Sequence, residues 1–334
     1  MLSFVRLIVW LMTVQMVLIG GAVALRRSSP PQHLMVYTGV SHSATVLKVL
    51  DGTYGLAVSL APSLPPHADL NFYNWNSNGQ LVYAAQQDGI GEIFLTDLLH
   101  YTNISEHPAS DEQPALSPDG RIAYISDRSG DRDLYIWEAG ALTNLTQSPE
   151  KDAEPAWSQD GRLAWIYAEN KLMVYDGQST QQVAIELGGW VVSPTWSRDG
   201  RLAWCAYRAL KCDLMIWNGL AVERIARSSV FTRPVWSADG RLVYKSDQTT
   251  ISIWQDGAFE SIQPAVLNIG FPAWDWGGRV TFNSLYPIVG NSVPFFRSHV
   301  YRWSGGQLRL LLNEAMIESP VWMPEAREPQ NTPR

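Results

Sequence analysis

Charge is scarce in this chain, and metal-binding patterns are missing from it. Charged residues make up 17% of its 334 residues, and the formal net charge is −7. Soluble domains usually carry about 25% charged residues. A negative balance argues against an extended basic surface, so we expect no nucleic-acid partner. The six histidines are scattered without ligand spacing, so we expect no metal site and no cofactor.

Catalytic signatures are also missing. The sequence has no GxSxG elbow, no HExxH pair, no P-loop and no dinucleotide fingerprint. These absences favour a protein that is not an enzyme. A site assembled from residues far apart in sequence would leave no such motif, so an enzymatic alternative stays open.

Sustained helical periodicity is absent beyond the N-terminus, and a repeated phrase is present instead. Its clearest copy is PVWSADGRLVY, residues 234–244. Asp-Gly between apolar runs is a hairpin signal, because the turn needs a positive φ that glycine adopts without steric cost. The residues after glycine favour a strand. The anchor position, usually Trp, is occupied by Trp75, Leu116, Trp157, Trp196, Trp236, Trp274 and Trp322.

The spacing of these anchors predicts the architecture. They recur every 38 to 48 residues, a period typical of the four-stranded blades of a β-propeller. We name the strands of a blade A to D from the channel outwards, with the anchor in strand A. Residues 33–67 match strands B to D but lack an A strand, whereas 320–323 match an A strand alone. The sequence therefore predicts an all-β, seven-bladed propeller over 33–325, closed by pairing of its terminal strands. Six blades are the alternative, with 33–67 outside the ring.

The phrase Pro-x-Trp-Ser-x-Asp-Gly-Arg resembles the TolB-like β-propeller repeat, also called the WD40-like Pro-Asp repeat. The resemblance is clear over residues 68–324 and rests on strand pattern alone over 33–67. The segment SPDGR (117–121) is most similar, while NSNGQ (76–80) and DWGGR (275–279) depart from the phrase. This resemblance implies an extracytoplasmic binding module, although related propellers also precede peptidase domains.

An apolar segment precedes the repeats. Residues 7–25 contain 19 residues without a charge, long enough for a helix of about 28 Å that just crosses a bilayer core. We interpret residues 1–27 as a signal anchor, with a signal peptide cleaved near Ala24 as the alternative. Residues 28–32 read as a linker and 326–334 as a disordered tail. The propeller is thus expected outside the cytoplasm, tethered to the membrane or, after cleavage, secreted or periplasmic.

The connections of such a blade suggest which side binds. The A–B and C–D turns lie on one side, which we call the turn side, and both look short. The B–C and D–A connections lie on the other, the loop side, and look longer and irregular. Binding residues favour variable loops on a rigid scaffold. The longest B–C connection, 284–298, is apolar. We therefore expect partner contacts from Tyr286, Ile288, Val289, Phe295 and Phe296 in that connection, and from Trp190 in a D–A connection.

Five other features have a structural interpretation to weigh beside a functional one. Cys205 and Cys212 flank a predicted B–C turn centred on residues 208–209, within disulfide reach, so we expect a disulfide; two unpaired cysteines in a reducing compartment are the alternative. The anchor tryptophans are expected in the core between blades rather than on a sugar-binding surface, and the arginine of each phrase is expected to lay its stem over the neighbouring blade. Two sequons begin at Asn103 and Asn144 and matter only in a eukaryotic secretory pathway. Three carboxylates are better explained by a polar hairpin than by Ca²⁺: Asp127, Asp131 and Asp133.

The sequence as a whole favours a non-enzymatic propeller, membrane-tethered or exported, that binds or scaffolds a protein partner through its loop side. That partner could belong to a membrane or envelope complex. The alternative is a propeller hydrolase or lyase acting on a glycan, lactone or peptide in the central channel.

Overall fold

The computed structural model of this chain describes residues 34–41, 44–51, 56–59, 73–76, 79–87, 89–97, 100–186, 188–266, 268–275, 277–288, 295–315 and 318–322. In this part of the chain all regular structure is β-strand. No described helix is long and apolar enough to cross a membrane. The predicted membrane segment, the linker and the predicted tail lie outside the described residues.

The described strands form seven four-stranded antiparallel sheets. Sheet 1 contains β1 (Leu34–Ser41), β2 (Ala44–Asp51), β3 (Leu56–Ser59) and β28 (Glu318–Trp322). Sheet 2 contains β4 (Tyr73–Trp75), β5 (Leu81–Gln87), β6 (Ile90–Thr96) and β7 (Tyr101–Asn103). Sheet 3 contains β8 (Asp111–Leu116), β9 (Ile122–Ser126), β10 (Asp133–Glu138) and β11 (Ala141–Asn144). Sheet 4 contains β12 (Asp152–Trp157), β13 (Leu163–Tyr167), β14 (Lys171–Tyr175) and β15 (Thr180–Ile185).

The last three sheets follow the same plan. Sheet 5 contains β16 (Trp190–Trp196), β17 (Leu202–Arg208), β18 (Lys211–Trp217) and β19 (Val222–Ser228). Sheet 6 contains β20 (Val235–Trp236), β21 (Leu242–Lys245), β22 (Ile251–Gln255) and β23 (Ala258–Ile262). Sheet 7 contains β24 (Ile269–Trp274), β25 (Val280–Ile288), β26 (Phe295–Ser304) and β27 (Gln307–Ala315).

The sheets follow one another around a common centre, as the blades of a β-propeller do. The A strand of each sheet contacts the A strand of the next, in the order β28, β4, β8, β12, β16, β20, β24, and β24 contacts β28 in turn. Sheet 1 draws its strands from both ends of the propeller: β28 pairs with β1, with Met35 opposite Trp322 and Val36 opposite Val321.

The repeated phrase forms its tight turn through a serine and an aspartate. In sheet 4, the Ser158 N–H donates to the Arg162 carbonyl at 2.8 Å, and its hydroxyl donates to Asp160 Oδ1 at 2.5 Å. Asp160 in turn accepts Arg162 Nε at 3.1 Å. Gly161 has φ 88°, which the turn requires and which a residue with a Cβ would adopt only under strain. Sheets 3, 5 and 6 repeat this Ser–Asp–Arg arrangement.

The arginine of each phrase then links its sheet to the next. Arg162 lies 4.4 Å above the ring of Trp196 in sheet 5, and its Nη2 donates to the Gly200 carbonyl at 3.1 Å. The Trp196 indole N–H donates back to the Ala156 carbonyl at 3.0 Å. The same cation–π contact joins Arg121 to Trp157, Arg201 to Trp236 and Arg241 to Trp274. The expectation that this arginine covers the neighbouring blade is confirmed.

Two copies of the phrase that depart from it keep the same turn through other side chains. In sheet 2, Asn76 takes the place of serine: its Oδ1 accepts the Gln80 N–H at 3.0 Å. In sheet 7, Asp275 accepts Arg279 Nε at 2.9 Å and forms a second ion pair with Arg302 at 2.8 Å. Asp275 is buried, so two arginines offset the cost of burying its charge.

The hydrophobic core lies between sheets rather than at a single centre. One cluster joins Leu202 and Trp204 of sheet 5 to Leu172 of sheet 4, with the partly buried Trp196 packed against it. The next joins Leu214 of sheet 5 to Trp236 of sheet 6. Each described anchor tryptophan in these clusters therefore belongs to an inter-blade core, as the sequence predicts.

Candidate functional site

The two sides of the propeller differ in the length of their connections. On the turn side, C–D connections such as 139–140 and 256–257 are tight. On the loop side the D–A connections are longer, for example 104–110, 145–151 and 229–234. The expectation that the B–C connections are also long is wrong for several sheets. Strands β17 and β18, for instance, are joined by Ala209 and Leu210 alone, both at positive φ.

A bulge interrupts several A strands near the loop side, and it places one residue of each in the left-handed region. Gln113 has φ 53°, Glu154 has φ 49° and Ser193 has φ 54°. The pairing of each A strand with its B strand shifts register at that position. A non-glycine residue at positive φ is uncommon and needs support from its surroundings.

That support comes from the neighbouring sheet. The Glu154 N–H donates to Gln113 Oε1 at 2.7 Å, and the Ser193 N–H donates to Glu154 Oε2 at 2.6 Å. Each side chain thus holds the bulged backbone of the next A strand. We call these three residues, together with Arg233 and Phe271 at the same position of the next two sheets, the channel belt. All five immediately precede the proline of their phrase.

Glu154 is the acidic member of the channel belt. Burial raises the pKa of its carboxyl, while the Ser193 N–H and the charge of Arg233 act in the opposite direction. Glu154 therefore faces a donor and a cation rather than a second carboxylate.

Arg233 supplies the opposite charge. It is exposed, and its guanidinium lies 5.2 Å from the centre of the Phe271 ring. It forms no ion pair with any residue that the structure describes. Its backbone is well held, because the neighbouring Thr232 is buried and its hydroxyl accepts the Lys245 N–H at 2.9 Å.

Four aromatic rings extend from this arginine across three sheets of the loop side. The Trp190 and Tyr207 rings stack with centroids 6.0 Å apart. Tyr207 meets Phe231 edge to face at 5.6 Å, and Phe231 meets Phe271 in the same way at 5.6 Å. We call these four residues the aromatic row. Trp190 is 51% exposed, whereas the anchor tryptophans Trp236 and Trp274 are less than 10% exposed.

Trp190 is the one member of the aromatic row that the sequence analysis selected, and its place in the fold differs from the expected one. Trp190 is exposed as expected, but it begins strand β16 instead of lying in the loop before it. The other three rings were missed, because nothing in the sequence pattern brings Tyr207, Phe231 and Phe271 together. The belt did leave a signal, since the residue before the proline changes from copy to copy while the rest of the phrase is nearly constant.

The predicted loop 284–298 has a different structure. Strand β25 continues to Ile288 and β26 begins at Phe295, so most of this segment is a long hairpin and the prediction of a loop is wrong. Tyr286 pairs with Arg297, Pro287 with Phe296, and Ile288 with Phe295. Val289 lies outside the described residues, and partner contact through this hairpin stays a prediction.

The two cysteines lie on adjacent strands of sheet 5. Their Cα atoms are 5.4 Å apart with the sulfur atoms in bonding distance, and both side chains are buried. The register differs from the expected symmetric turn at 208–209: Cys212 lies opposite Tyr207 and Cys205 opposite Leu214. The pair is therefore diagonal. It lies beside Tyr207 and so next to the aromatic row.

Two of the three aspartates of the 127–133 hairpin bind donors of the protein itself. Asp127 Oδ1 accepts the Ser110 N–H at 2.8 Å. Partial burial acts to raise the pKa of Asp133, but hydrogen bonds from the Ser129 hydroxyl at 2.6 Å and the Ser148 N–H at 2.9 Å hold that pKa below the ordinary value. The Asn144 amide donates to the same carboxylate at 2.7 Å. Among the described residues, no group of three His, Cys, Asp or Glu side chains is placed to hold a metal ion.

The two sequons are part of a structural motif. The Leu134 N–H donates to Thr146 Oγ1 at 3.0 Å, and the Thr146 N–H donates to Asn144 Oδ1 at 3.2 Å. In sheet 2, the Ile93 N–H likewise donates to Ser105 Oγ at 3.0 Å, with Asn103 accepting the Ser105 N–H at 3.1 Å. In both sheets the Asn-x-Ser/Thr sequence thus links the end of strand D to strand C by a side-chain hydrogen bond.

Comparison with known proteins supports the fold and no more. No protein-family model matches the sequence, and no curated protein matches it. Among solved structures, TolB from Acinetobacter baumannii has a TM-score of 0.54 at 15% identity, over 89% of this chain and 68% of that one. Puromycin hydrolase has a TM-score of 0.63 at 15% identity, over 88% of this chain and 55% of that one.

A third solved structure is a propeller on its own. The β-propeller domain of the Trilobed protease from Pyrococcus furiosus, described as having an open velcro topology, has a TM-score of 0.57 at 12% identity, over 84% of this chain and 94% of that domain. In the present chain, β28 pairs with β1. The chain therefore has the β-propeller fold that TolB and related Pro-Asp repeat proteins share, as its repeated phrase predicts.

Proposed function

We propose that this protein is a non-enzymatic propeller that docks a protein partner on its loop side, with the aromatic row at the centre of the contact. The observation that carries the proposal is the exposure of Trp190 beside three further rings and the exposed Arg233. Trp, Tyr and Arg are enriched among the residues that dominate binding energy in protein interfaces. Rings that already pack against one another also lose little conformational entropy on binding.

The scaffold behind this surface is, in our proposal, a closed ring of seven blades. Support comes from the continuous contacts of the A strands and from the pairing of β28 with β1. A six-bladed ring would leave residues 34–59 outside, although β1 is hydrogen-bonded to β28 and β2 on its two edges. Closure removes free strand edges at the junction, which makes the surface rigid.

The proposed location is outside the cytoplasm, with residues 7–25 as a membrane anchor. The uncharged length of that segment and the buried cysteine pair support it. Strand β1 begins at the turn side, so an anchor of this kind would leave the loop side facing away from the bilayer. Protease treatment of cells stripped of any outer envelope, before and after lysis of the plasma membrane, tests this: cleavage of the loop side only after lysis would contradict it.

The enzymatic alternative has less support. This chain spans 55% of the length of puromycin hydrolase, and the likeness at 15% identity extends to the fold alone. In the channel belt, the Glu154 carboxylate binds a backbone N–H instead of facing a second acid or a nucleophile.

The test is a selection of random linear peptides on phage against the purified full-length protein. Enriched peptides are then titrated against the wild type, the Trp190→Ala variant and the Phe259→Ala variant. Phe259 is a matched control, since it is exposed to a similar degree but lies on the outermost strand of sheet 6. We expect Trp190→Ala to weaken binding about tenfold or more, and Phe259→Ala to leave it unchanged. Equal effects of the two substitutions, or no enriched peptide, would overturn the proposal.

A further inference from the structure

The partner's chemistry can be inferred from the charge at one end of the aromatic row. Arg233 is exposed, yet no described residue forms an ion pair with it. Two loop-side arginines of sheet 3 are bound to carboxylates: Arg128 to the buried Asp111 at 3.1 Å, and Arg132 to Glu112 at 2.5 Å. The arginines of the repeated phrase are likewise engaged by aspartates on the turn side. Arg233 is therefore a guanidinium that the fold has left available.

Its surroundings favour a planar anion. The ring of Phe271 lies 5.2 Å from the guanidinium and gives it an aromatic contact on one side, while the side chain stays exposed to a ligand. The backbone that precedes it is anchored by Thr232 and by the Ser229 N–H, which donates to the Ser246 carbonyl at 2.9 Å. An arginine on a well-held backbone loses less entropy when it binds a carboxylate with two hydrogen bonds.

The nearest opposing charge does not occupy this position. Glu154 attracts Arg233 electrostatically, but its Oε2 is held by the Ser193 N–H at 2.6 Å. A carboxylate tied to the neighbouring A strand cannot swing over to form a bidentate pair without leaving that N–H unsatisfied. Glu154 therefore stays on the Ser193 N–H, and the exposed guanidinium of Arg233 is open to a second anion.

We infer that Arg233 is an anion-binding subsite of the docking surface, and that the partner segment carries an Asp, Glu or terminal carboxylate next to apolar side chains that cover the aromatic row. The inference rests on the proposed function and adds the chemical class of the partner. Charge complementarity of this kind sets specificity and orientation, while the rings supply most of the contact area.

The test is a comparison of peptide selections on phage, run in parallel against the wild type, Arg233→Gln and Arg233→Glu. Arg198→Glu is the matched control, because Arg198 is exposed, carries the same charge and lies in a turn-side connection. The wild type and the control should enrich Asp and Glu beside apolar residues. Arg233→Gln should lose that enrichment, and Arg233→Glu should replace it with Lys and Arg. An individual acidic peptide should bind Arg233→Gln about tenfold more weakly than the wild type.

Three outcomes separate the inference from the function on which it rests. Peptides that depend on Trp190 but show no acidic preference would overturn the anion subsite and leave the docking surface intact. The same amino-acid enrichment for wild type and Arg233→Glu would also overturn it. Peptides that ignore Trp190 altogether would overturn both. Thermal unfolding of each variant shows whether it is folded. If Arg233→Glu does not fold, Arg233→Gln alone provides the test.

Discussion

Trp190 and Tyr207 lie directly opposite each other on strands β16 and β17, and their rings stack with centroids 6.0 Å apart. This pair begins the aromatic row, and it lies at the loop-side end of sheet 5, where the chain enters its A strand. Because the outer face of Trp190 stays exposed, the pair gives the propeller a rigid apolar surface that its own core does not use.

Removing Trp190 should therefore separate binding from folding. We expect Trp190→Ala to lower the free energy of unfolding by less than about 1.5 kcal/mol, because half of the ring is already in water and only one stacking contact is lost. Urea denaturation measures this. Trp236→Ala is the comparison, since that ring is buried between sheets 5 and 6 and its removal should cost about 3–5 kcal/mol. Equal losses would show that Trp190 is a core residue.

The contact between Arg201 and Trp236 should contribute measurably to stability. Arg201 lies 4.7 Å above the Trp236 ring, pairs with Asp199 at 3.0 Å and reaches the Gly240 carbonyl at 3.4 Å. We expect Arg201→Ala to destabilise the protein by about 1–2 kcal/mol, mostly through the lost ring contact, because the ion pair is partly exposed and screened. Arg198→Ala, three residues earlier and exposed, should change stability by less than about 0.5 kcal/mol in the same urea titration.

Asp152 should make stability depend on pH. Its carboxyl is buried, accepts the Trp165 indole N–H at 2.9 Å, and has one oxygen without a hydrogen-bond partner. Burial raises its pKa to about 6, against the effect of the Trp165 hydrogen bond. The folded state thus keeps a proton that the unfolded chain loses near pH 4. The contribution to stability is fully present below about pH 4 and is lost as the pH rises through about 6.

Asp152→Asn tests that dependence, because asparagine retains an acceptor for Trp165 and cannot ionise. The free energy of unfolding of the variant minus that of the wild type should be larger at pH 8 than at pH 4, by up to about 3 kcal/mol. The wild-type curve also contains the carboxylates whose pKa values are lowered, such as Asp160 and Asp199, so the difference between the two proteins is the quantity to use. A difference that does not change with pH would contradict the assignment.

The cysteine pair should form a disulfide once the protein is in an oxidising compartment. The Cα separation of 5.4 Å is within the usual range, and both side chains are buried, so neither thiol is open to other partners. Thiol titration of the denatured, unreduced protein should find no free thiol. The loop that the bond closes is short, so reduction should cost no more than about 2–3 kcal/mol. Two free thiols would show that the pair is reduced.

Closure of the ring can be tested by a second, introduced bond. Val36 of β1 lies opposite Val321 of β28, so cysteines at these two positions should oxidise to a disulfide in the folded protein. Because this bond would join strands near the two ends of the propeller, it should raise the melting temperature. Val36→Cys alone is the control. Failure of the pair to cross-link under oxidising conditions would contradict closure by β28.

Much of this architecture could be predicted because the residues that determine the fold of each blade lie within its own repeat. The Asp-Gly turn, the anchor Trp196 and the preceding Arg162 recur at a fixed period, and each arginine reaches the anchor and the turn of the next copy. Pattern and geometry therefore agree for turns, anchors and the order of strands.

The candidate site could not be predicted in the same way. The bulges of the A strands place non-glycine residues at positive φ, namely Gln113, Glu154 and Ser193. Because glycine is absent from those positions, the residue types do not indicate the bulges. The rings of Tyr207, Phe231 and Phe271 come from one B strand, one D–A connection and one A strand of three successive sheets. Conversely, the apolar segment 284–298 looked like a binding loop because its β-strands extend beyond the length expected from the other copies.

Hydrogen–deuterium exchange of the full-length protein, with and without a selected peptide, tests the docking surface most directly. We expect slower exchange in the loop-side segments around the aromatic row, at 188–193, 205–208, 228–235 and 268–273, and no change in the turn-side segments 197–201 and 237–241. Protection confined to the turn side, or to the hairpin 284–298, would contradict the account.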